Sequence, residues 1–283
     1  MVTRKLLTPQ NIDLSINTDL TRKILTGFIH SEITRTGFTR AVIGLSGGLD
    51  SALVCFLAAE ALGPENVLAV RMPYKTSSPD SLEDAQKVID ATGVQSMTVE
   101  ITAMVEPLFA RFPDMNNTRK GNIMARQRMI VLYDQSAAFN GLVIGTGNKT
   151  EILLGYTTQF GDSACALNPI GDLYKAQVRQ LSKALGVPDS IITKPPSADL
   201  WAGQTDENEL GFTYADADKL LYLLVDQRYT AEECIEAGFS PSFVKAVVER
   251  VRRFHYKRML PPIAKISNRT IGYDFLYLRD WGT

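Results

Sequence analysis

The sequence predicts an α/β fold: a doubly wound parallel sheet followed by a mostly helical C-terminal part. Three observations carry this. Short apolar runs at 41–45, 67–72, 96–101 and 141–147 read as buried strands. Stretches of helical length separate them, as parallel crossovers require. Two glycine-rich segments, after residues 45 and 144, fall directly at strand ends, where an open parallel sheet places its ligand crevice.

Taken in order, residues 16–36 lead in with apolar positions Leu20, Ile24, Leu25, Phe28, Ile29 and Ile33 at helical spacing. AVIGL (41–45) is the first strand, and a helix follows through 51–62, stopped by Gly63-Pro64. The strand at 67–72 leads to a helix over 78–93 with a Ser or Asp cap and a terminal Gly. A third strand covers 96–101, helices follow near 102–112 and over 119–139, and a fourth strand covers 141–147. Beyond it, helices are expected at 175–186, 215–227, 230–237 and 241–256. The segment 194–211, KPPSADLWAGQTDENELG, has no periodicity and is long for a structureless loop, which points to function. The alternating aromatic residues Tyr273, Phe275, Tyr277 and Trp281 read as a strand or tail packing on the domain or on a second subunit. The 283 residues are read as one domain, 1–283: an α/β core over about 16–187, a lid over about 194–211, and C-terminal helices over about 212–258.

A hydrophobic share of 45% and a charged share of 22% suit a soluble globular chain with a real core. The net charge of −1 offers no basic field for nucleic acid. Cys55, Cys165 and Cys234 are widely spaced with no CxxC pair, so neither a disulfide framework nor a zinc site is expected. No apolar run approaches the ~20 residues that span a bilayer, and the N-terminus lacks a signal-peptide core. A cytoplasmic location follows as an expectation. His30 and His255 are isolated and read as solvated or packing residues.

Ser46-Gly47-Gly48-Leu49-Asp50-Ser51 stands between a strand and a helix. Its glycines let backbone amides approach a phosphate chain, and the following helix start carries partial positive charge. Ser46 and Ser51 add hydroxyl donors. Asp50 cannot assist an anion directly, so its task is to hold Mg2+ bridging the phosphates. A capped strand-to-helix turn would account for the same residues. No Lys-Ser/Thr follows the glycines, and no GxGxxG is present.

The hexapeptide resembles the pyrophosphate-binding loop of the ATP-pyrophosphatase superfamily, a Rossmann-like group that cleaves ATP between the α and β phosphates. Among its members, the NAD synthetase family matches furthest along the chain, from about residue 20 to 265. The matching segments are Arg71-Met72-Pro73-Tyr74, Lys120 to Met129 (KGNIMARQRM), Gly145 to Glu151 (GTGNKTE), and Asn168 to Lys175 (NPIGDLYK). Lys194 to Leu200 with Gly203 to Glu207 resembles the family's mobile lid, and Tyr256 to Pro262 (YKRMLPP) its C-terminal element.

That resemblance implies an ATP-dependent amide ligase. It would adenylate the carboxylate of deamido-NAD and pass it to ammonia, giving NAD, AMP and pyrophosphate. Asp50 and Glu151 would share Mg2+, and Lys175 and Arg71 would clamp phosphate oxygens. ATP would also meet Ser46, Gly47, Gly48, Leu49, Ser51, Thr146 and Ser197. Deamido-NAD would meet Arg126, Gln159, Asp162, Ala166, Tyr256 and Lys257. Arg128, two residues from Arg126 on one helix, faces elsewhere and is assigned a structural role. A homodimer is expected, with no nucleic acid or membrane partner. The chain is too short to add a glutaminase domain of roughly 250 residues, so ammonia must come free or from a separate protein.

The acid-binding half departs from the family pattern. Gln159 replaces a Lys, Ala166 an Asp, Tyr256 a His, and Ser163-Ala164 a glycine pair, while Asp162 is retained. A pocket that loses specific polar partners discriminates differently. An amide ligase acting on another carboxylic acid is therefore the alternative reading. A tRNA-modifying enzyme and a non-catalytic nucleotide-binding protein stand behind it.

Overall fold

The computed structural model describes residues 7–275 apart from 198 and 202. Its sheet has four strands, β1 (Ala41–Gly44), β2 (Val67–Arg71), β3 (Gln95–Thr98) and β4 (Leu142–Ile144), in the order β3-β2-β1-β4. Every pairing is parallel, with Ala41 opposite both Val67 and Leu142. The chain winds outward from β1 through β2 to β3 and then returns to the other side of β1. This reversal makes the carboxyl ends of β1 and β4 the topological switch point.

The strands are short because their apolar runs are short, and alternation divides them between two layers. Ala41, Ile43, Val67 and Ala69 face one core with α1 (Thr18–Thr34), α2 (Leu49–Leu62) and α3 (Pro79–Thr92). Val42, Leu68 and Val70 face the other way, against Val131 and Leu132. Those residues belong to α5 (Asn117–Phe139), which follows α4 (Thr102–Arg111). Helices on both faces complete the doubly wound layer expected. The third strand differs from expectation: it spans Gln95–Thr98 only and its side chains are largely exposed. It lies at the sheet's edge, so the apolar run predicted to be buried has solvent on one side.

After β4 come α6 (Lys149–Leu154), α7 (Lys175–Leu185), α8 (Asp189–Thr193), α9 (Asp206–Leu210), α10 (Tyr214–Leu221), α11 (Ala231–Glu236) and α12 (Pro241–Arg253). Helices α6, α8 and α9 have five or six residues each, below the length at which periodicity shows. The helix expected over 215–227 is α10 continued by a π turn at Tyr222–Asp226. A second core gathers Leu154, Tyr174, Tyr214, Leu220, Leu223, Cys234, Val244 and Val247 beneath these helices. It packs along α6 and α7, so the C-terminal helices buttress the elements on which the site is built. Residues Thr270 to Phe275 form a tight turn, while Tyr277 and Trp281 lie outside the described residues.

Candidate active site

The phosphate loop sits where the sequence places it, but α2 begins earlier than expected, with Gly48 as its N-cap. Asp50 and Ser51 therefore occupy the helix's first turn, where the dipole favours anions. The loop is closed by its own hydroxyls. Ser46 Oγ and Ser51 Oγ are 3.1 Å apart, Gly48 N donates to Ser46 Oγ at 3.2 Å, and Ser51 Oγ donates to Gly48 O at 3.0 Å. Gly47 has φ +77°, and a Cβ there would stand 2.1 Å from Ser81 O on α3. No other residue fits that turn.

Across the switch point, Asn148 caps α6 and is fully buried. Its Oδ1 accepts from Glu151 N at 3.0 Å, and its Nδ2 donates to Asp50 Oδ1 at 3.0 Å. One residue thus ties Asp50 to the start of α6, and its backbone N donates to Glu151 Oε2 at 3.4 Å. In the sequence Asn148 stands inside the Gly145 to Glu151 motif with no assigned role. The signal was present in the Asn-x-x-Glu spacing of a capping box.

Lys175 opens α7 and projects between the two acids. Its ammonium donates to Asp50 Oδ2 and, at 3.1 Å, to Glu151 Oε1. It is only 4% exposed, so water screens these pairs poorly. Burial pushes the Glu151 carboxyl above its usual range, against the pull of Lys175. Burial also works against the Lys175 charge, but Asp50 and Glu151 outweigh it and hold the lysine charged. Two carboxyl groups and one ammonium thus meet at the mouth of the phosphate loop.

Among the described residues no group of three or more His, Cys, Asp or Glu side chains could hold a metal ion. Mg2+ needs no such cage. One or two carboxylates suffice when phosphate oxygens and waters complete its octahedron. Asp50 and Glu151 fit that donor set, sharing one cation already.

A cavity of about 860 Å³ joins these groups to nearly all the other predicted site residues. Ser46 to Ser51, Arg71, Thr146 and Ser197 line it, and so do Arg126, Gln159, Asp162, Tyr256 and Lys257. Arg71 Nη1 donates to Gln86 Oε1 at 2.7 Å, while its buried Nε has no partner among the described residues. A buried donor left open suits an arriving phosphate oxygen. Ala166 is the exception. It does not line the cavity, and its amide donates to Val143 O at 2.9 Å, continuing the run of chain beside β4.

Arg126 Nε donates to the Gln159 carbonyl at 3.3 Å. Position 159 thus contributes backbone to the wall despite its lost charge. Asp162 Oδ1 accepts from Thr158 N at 2.7 Å. It lines the cavity, and desolvation raises its carboxyl above the usual range despite that bond. Lys257 Nζ donates to Gly155 O at 2.7 Å and Thr157 O at 2.5 Å. Arg128 borders the cavity too, but its Nε is tied to Met72 O at 3.0 Å, in keeping with a structural role.

The described residues of the segment 194–211, expected to form a lid, are tied down by side chains. Ser197 Oγ donates to Gln204 O at 2.7 Å, and Leu200 N donates to Gln204 Oε1 at 2.9 Å. Asp199 accepts from Ser78 N at 3.1 Å, pinning the lid to the start of α3. Gly121 on α5 makes room for it, since a Cβ there would lie 2.9 Å from Leu200 Cδ1. Asp206 is 5% exposed, with Tyr156 and Tyr214 hydroxyls donating to it at 3.2 and 3.1 Å. The sequence does not signal this cluster, because Tyr156 lies fifty residues from Asp206, and Asp206 and Tyr214, eight apart, lie on the separate helices α9 and α10.

Fold and site together define an α/β nucleotide-site protein of the ATP-pyrophosphatase type. The family model described as NAD synthase matches residues 21–261. The chain belongs to the NAD synthase family, whose curated relatives are carbon–nitrogen ligases. It is 61% identical to the NH3-dependent NAD+ synthetase of Trichlorobacter lovleyi, with 95% of this chain and 98% of that protein covered. With the same enzyme of Chlorobium phaeobacteroides the identity is 55%, covering 95% and 97%. Among solved structures, NMN synthetase from Francisella tularensis matches with a TM-score of 0.78 at 32% identity, covering 89% of this chain and all of that one. NH3-dependent NAD synthetase from Campylobacter jejuni matches at 0.76 and 33%, with the same coverage.

Proposed function

We propose that this chain joins ammonia to the carboxylate of deamido-NAD, using ATP and releasing AMP and pyrophosphate. The observation that carries this reading is the convergence of Asp50, Glu151 and Lys175 at the mouth of the phosphate loop, in one cavity with Arg126 and Asp162.

The phosphate loop holds the pyrophosphate end of ATP on backbone amides and the hydroxyls of Ser46 and Ser51. Arg71 and Lys175 meet the charge that grows on phosphoryl oxygens as the α–β bond breaks. The carboxylate of the acid attacks the α-phosphorus, and ammonia then displaces AMP from the mixed anhydride. No protein nucleophile is required; positioning and charge stabilisation supply the acceleration. Mg2+, held by Asp50 and Glu151, would neutralise pyrophosphate and polarise its oxygens. Thr146 and Ser197 contact the nucleotide, while Arg126, Gln159, Asp162, Tyr256 and Lys257 hold the acid.

The working unit on this reading is a cytoplasmic homodimer of single-domain chains. Exposed Ile130 and Tyr133 on α5 support a covered apolar face. No helix among the described residues is long and apolar enough to cross a membrane.

A second acid is favoured by one observation: Gln159 and Ala166 bring no charge where the family pattern has a Lys and an Asp. The likeness to an NMN synthetase makes a mononucleotide acid the first competitor. Incubation with ATP, ammonium, and each acid in turn, with and without Mg2+, tests both readings. Deamido-NAD is expected to yield NAD, AMP and pyrophosphate in equal amounts. Turnover confined to the mononucleotide acid would transfer the assignment to that substrate.

A further inference from the structure

We propose that Asp218 is a positioning residue of the ligase reaction: its buried carboxylate sets the Glu151-bearing and Lys175-bearing helices at their working separation. The inference rests on the function proposed above for Glu151 and Lys175.

Asp218 lies on α10 and is wholly buried, as is Thr150 on α6. One carboxylate oxygen accepts from Thr150 Oγ1 at 2.5 Å, and the other accepts from Ala176 N at 2.8 Å. Thr150 Oγ1 in turn accepts from Lys175 N at 3.1 Å. Asp218 thus joins the residue before Glu151 to the first turn of α7, which Lys175 opens. The N-cap of α7, Tyr174, offers no side-chain cap to that turn. An anion supplied from a third element fills this role and complements the positive end of the helix.

The arrangement is chemically exacting. Burial raises the Asp218 carboxyl, and the bonds from Thr150, Ala176 and Lys175 oppose that rise. Removing the acceptor would leave a hydroxyl and an amide buried without partners. Asparagine cannot replace it cleanly, because its amide nitrogen would face one of two groups that are already donating. Side chains of Glu151 and Lys175 meet at 3.1 Å, so a small relative shift of α6 and α7 breaks the contact.

Asp218→Asn, Thr150→Val and Thr150→Ser in the full chain test this, with NAD formation by the unaltered protein as the baseline. Assays are run well below each variant's unfolding midpoint. Asp218→Asn and Thr150→Val are each expected to lower kcat about tenfold or more, since ångström displacements cost rates of that order. KM for the acid is expected to stay within about twofold, because neither residue reaches it. Thr150→Ser keeps the hydroxyl and is expected to recover most of kcat. The double variant Asp218→Asn/Thr150→Val should lose no more than the worse single change, as members of one network do.

A folded Asp218→Asn variant with unchanged kcat would overturn the proposal. So would equal damage from Thr150→Ser and Thr150→Val, or a crystal structure of Asp218→Asn retaining the Lys175–Glu151 contact. Should Asp218→Asn not fold, the Thr150 pair decides the question alone. Absence of NAD from the unaltered protein would count against the reaction itself. The crystallographic comparison would then still decide the positioning role.

Discussion

Gly47 and Asp50 stand three residues apart, and each answers to a different constraint. At Gly47 the constraint is steric. A side chain would need positive φ and would press on the Ser81 carbonyl, so Gly47→Ala is expected to cost about 1–3 kcal/mol in backbone strain alone. Thermal unfolding with and without ATP checks this; an alanine variant as stable and as responsive to ATP as the parent would contradict it. At Asp50 the constraint is charge. Asp50→Ala is expected to abolish pyrophosphate release while the chain stays folded, since the side chain packs into no core and contacts Asn148 and Lys175. Full activity in that variant would refute the proposed Mg2+ role of Asp50. The residue types at 46–51, 151 and 175 announced themselves in sequence because their chemistry is bound to short motifs. Asn148 was half legible through its capping spacing. Asp206, Asp218 and Tyr214 were not, because a buried acid in a helical stretch looks like any surface acid until its partners are known.

The lid and the end of α6 show how elements are held. Asp84 on α3 accepts from Lys87 at 2.8 Å, from Ser190 at 3.1 Å and from Lys194 at 3.0 Å, tying α8 and the lid's first residue to α3. Burial works to raise the Asp84 carboxyl, but the two lysines outweigh it and hold it below the usual range. A depressed carboxyl contributes stability above its unfolded value of about 3.9, and loses it as pH falls further through the folded value. Asp84→Asn should therefore loosen the lid at neutral pH and flatten the acid limb of the stability curve. Limited proteolysis across 194–211, followed against pH, reads both effects. Equal cutting of parent and variant at pH 7 would refute the latch. At α6, Arg258 donates to Leu153 O at 2.8 Å and Arg250 to Leu154 O at 3.0 Å, with Lys257 taking the next carbonyls. Three cations at one helix C-terminus satisfy carbonyls left open there. Lys257→Met is expected to cost about 2 kcal/mol, the scale of a charged hydrogen bond, measurable by denaturant unfolding. An unchanged midpoint would assign Lys257 to the substrate alone. None of this stitching could be read from the sequence, where the same cations suit a solvated helix end.

For the whole molecule, the doubly wound sheet was legible because apolar runs and glycine turns report directly on buried parallel strands. The length of β3 was not, since edge position is decided by topology. The helical half was legible as helices but not as a support. Only the packed structure places Tyr174, Tyr214 and Leu154 in one core behind the site. ATP is expected to be cleaved at the switch point between β1 and β4. Deamido-NAD labelled with 18O at both carboxylate oxygens tests it most directly, with AMP, pyrophosphate and NAD analysed by mass. Attack of the carboxylate on the α-phosphorus is expected to leave one labelled oxygen in AMP, one in the new amide and none in pyrophosphate. Unlabelled AMP, or label in inorganic phosphate alongside ADP, would contradict it.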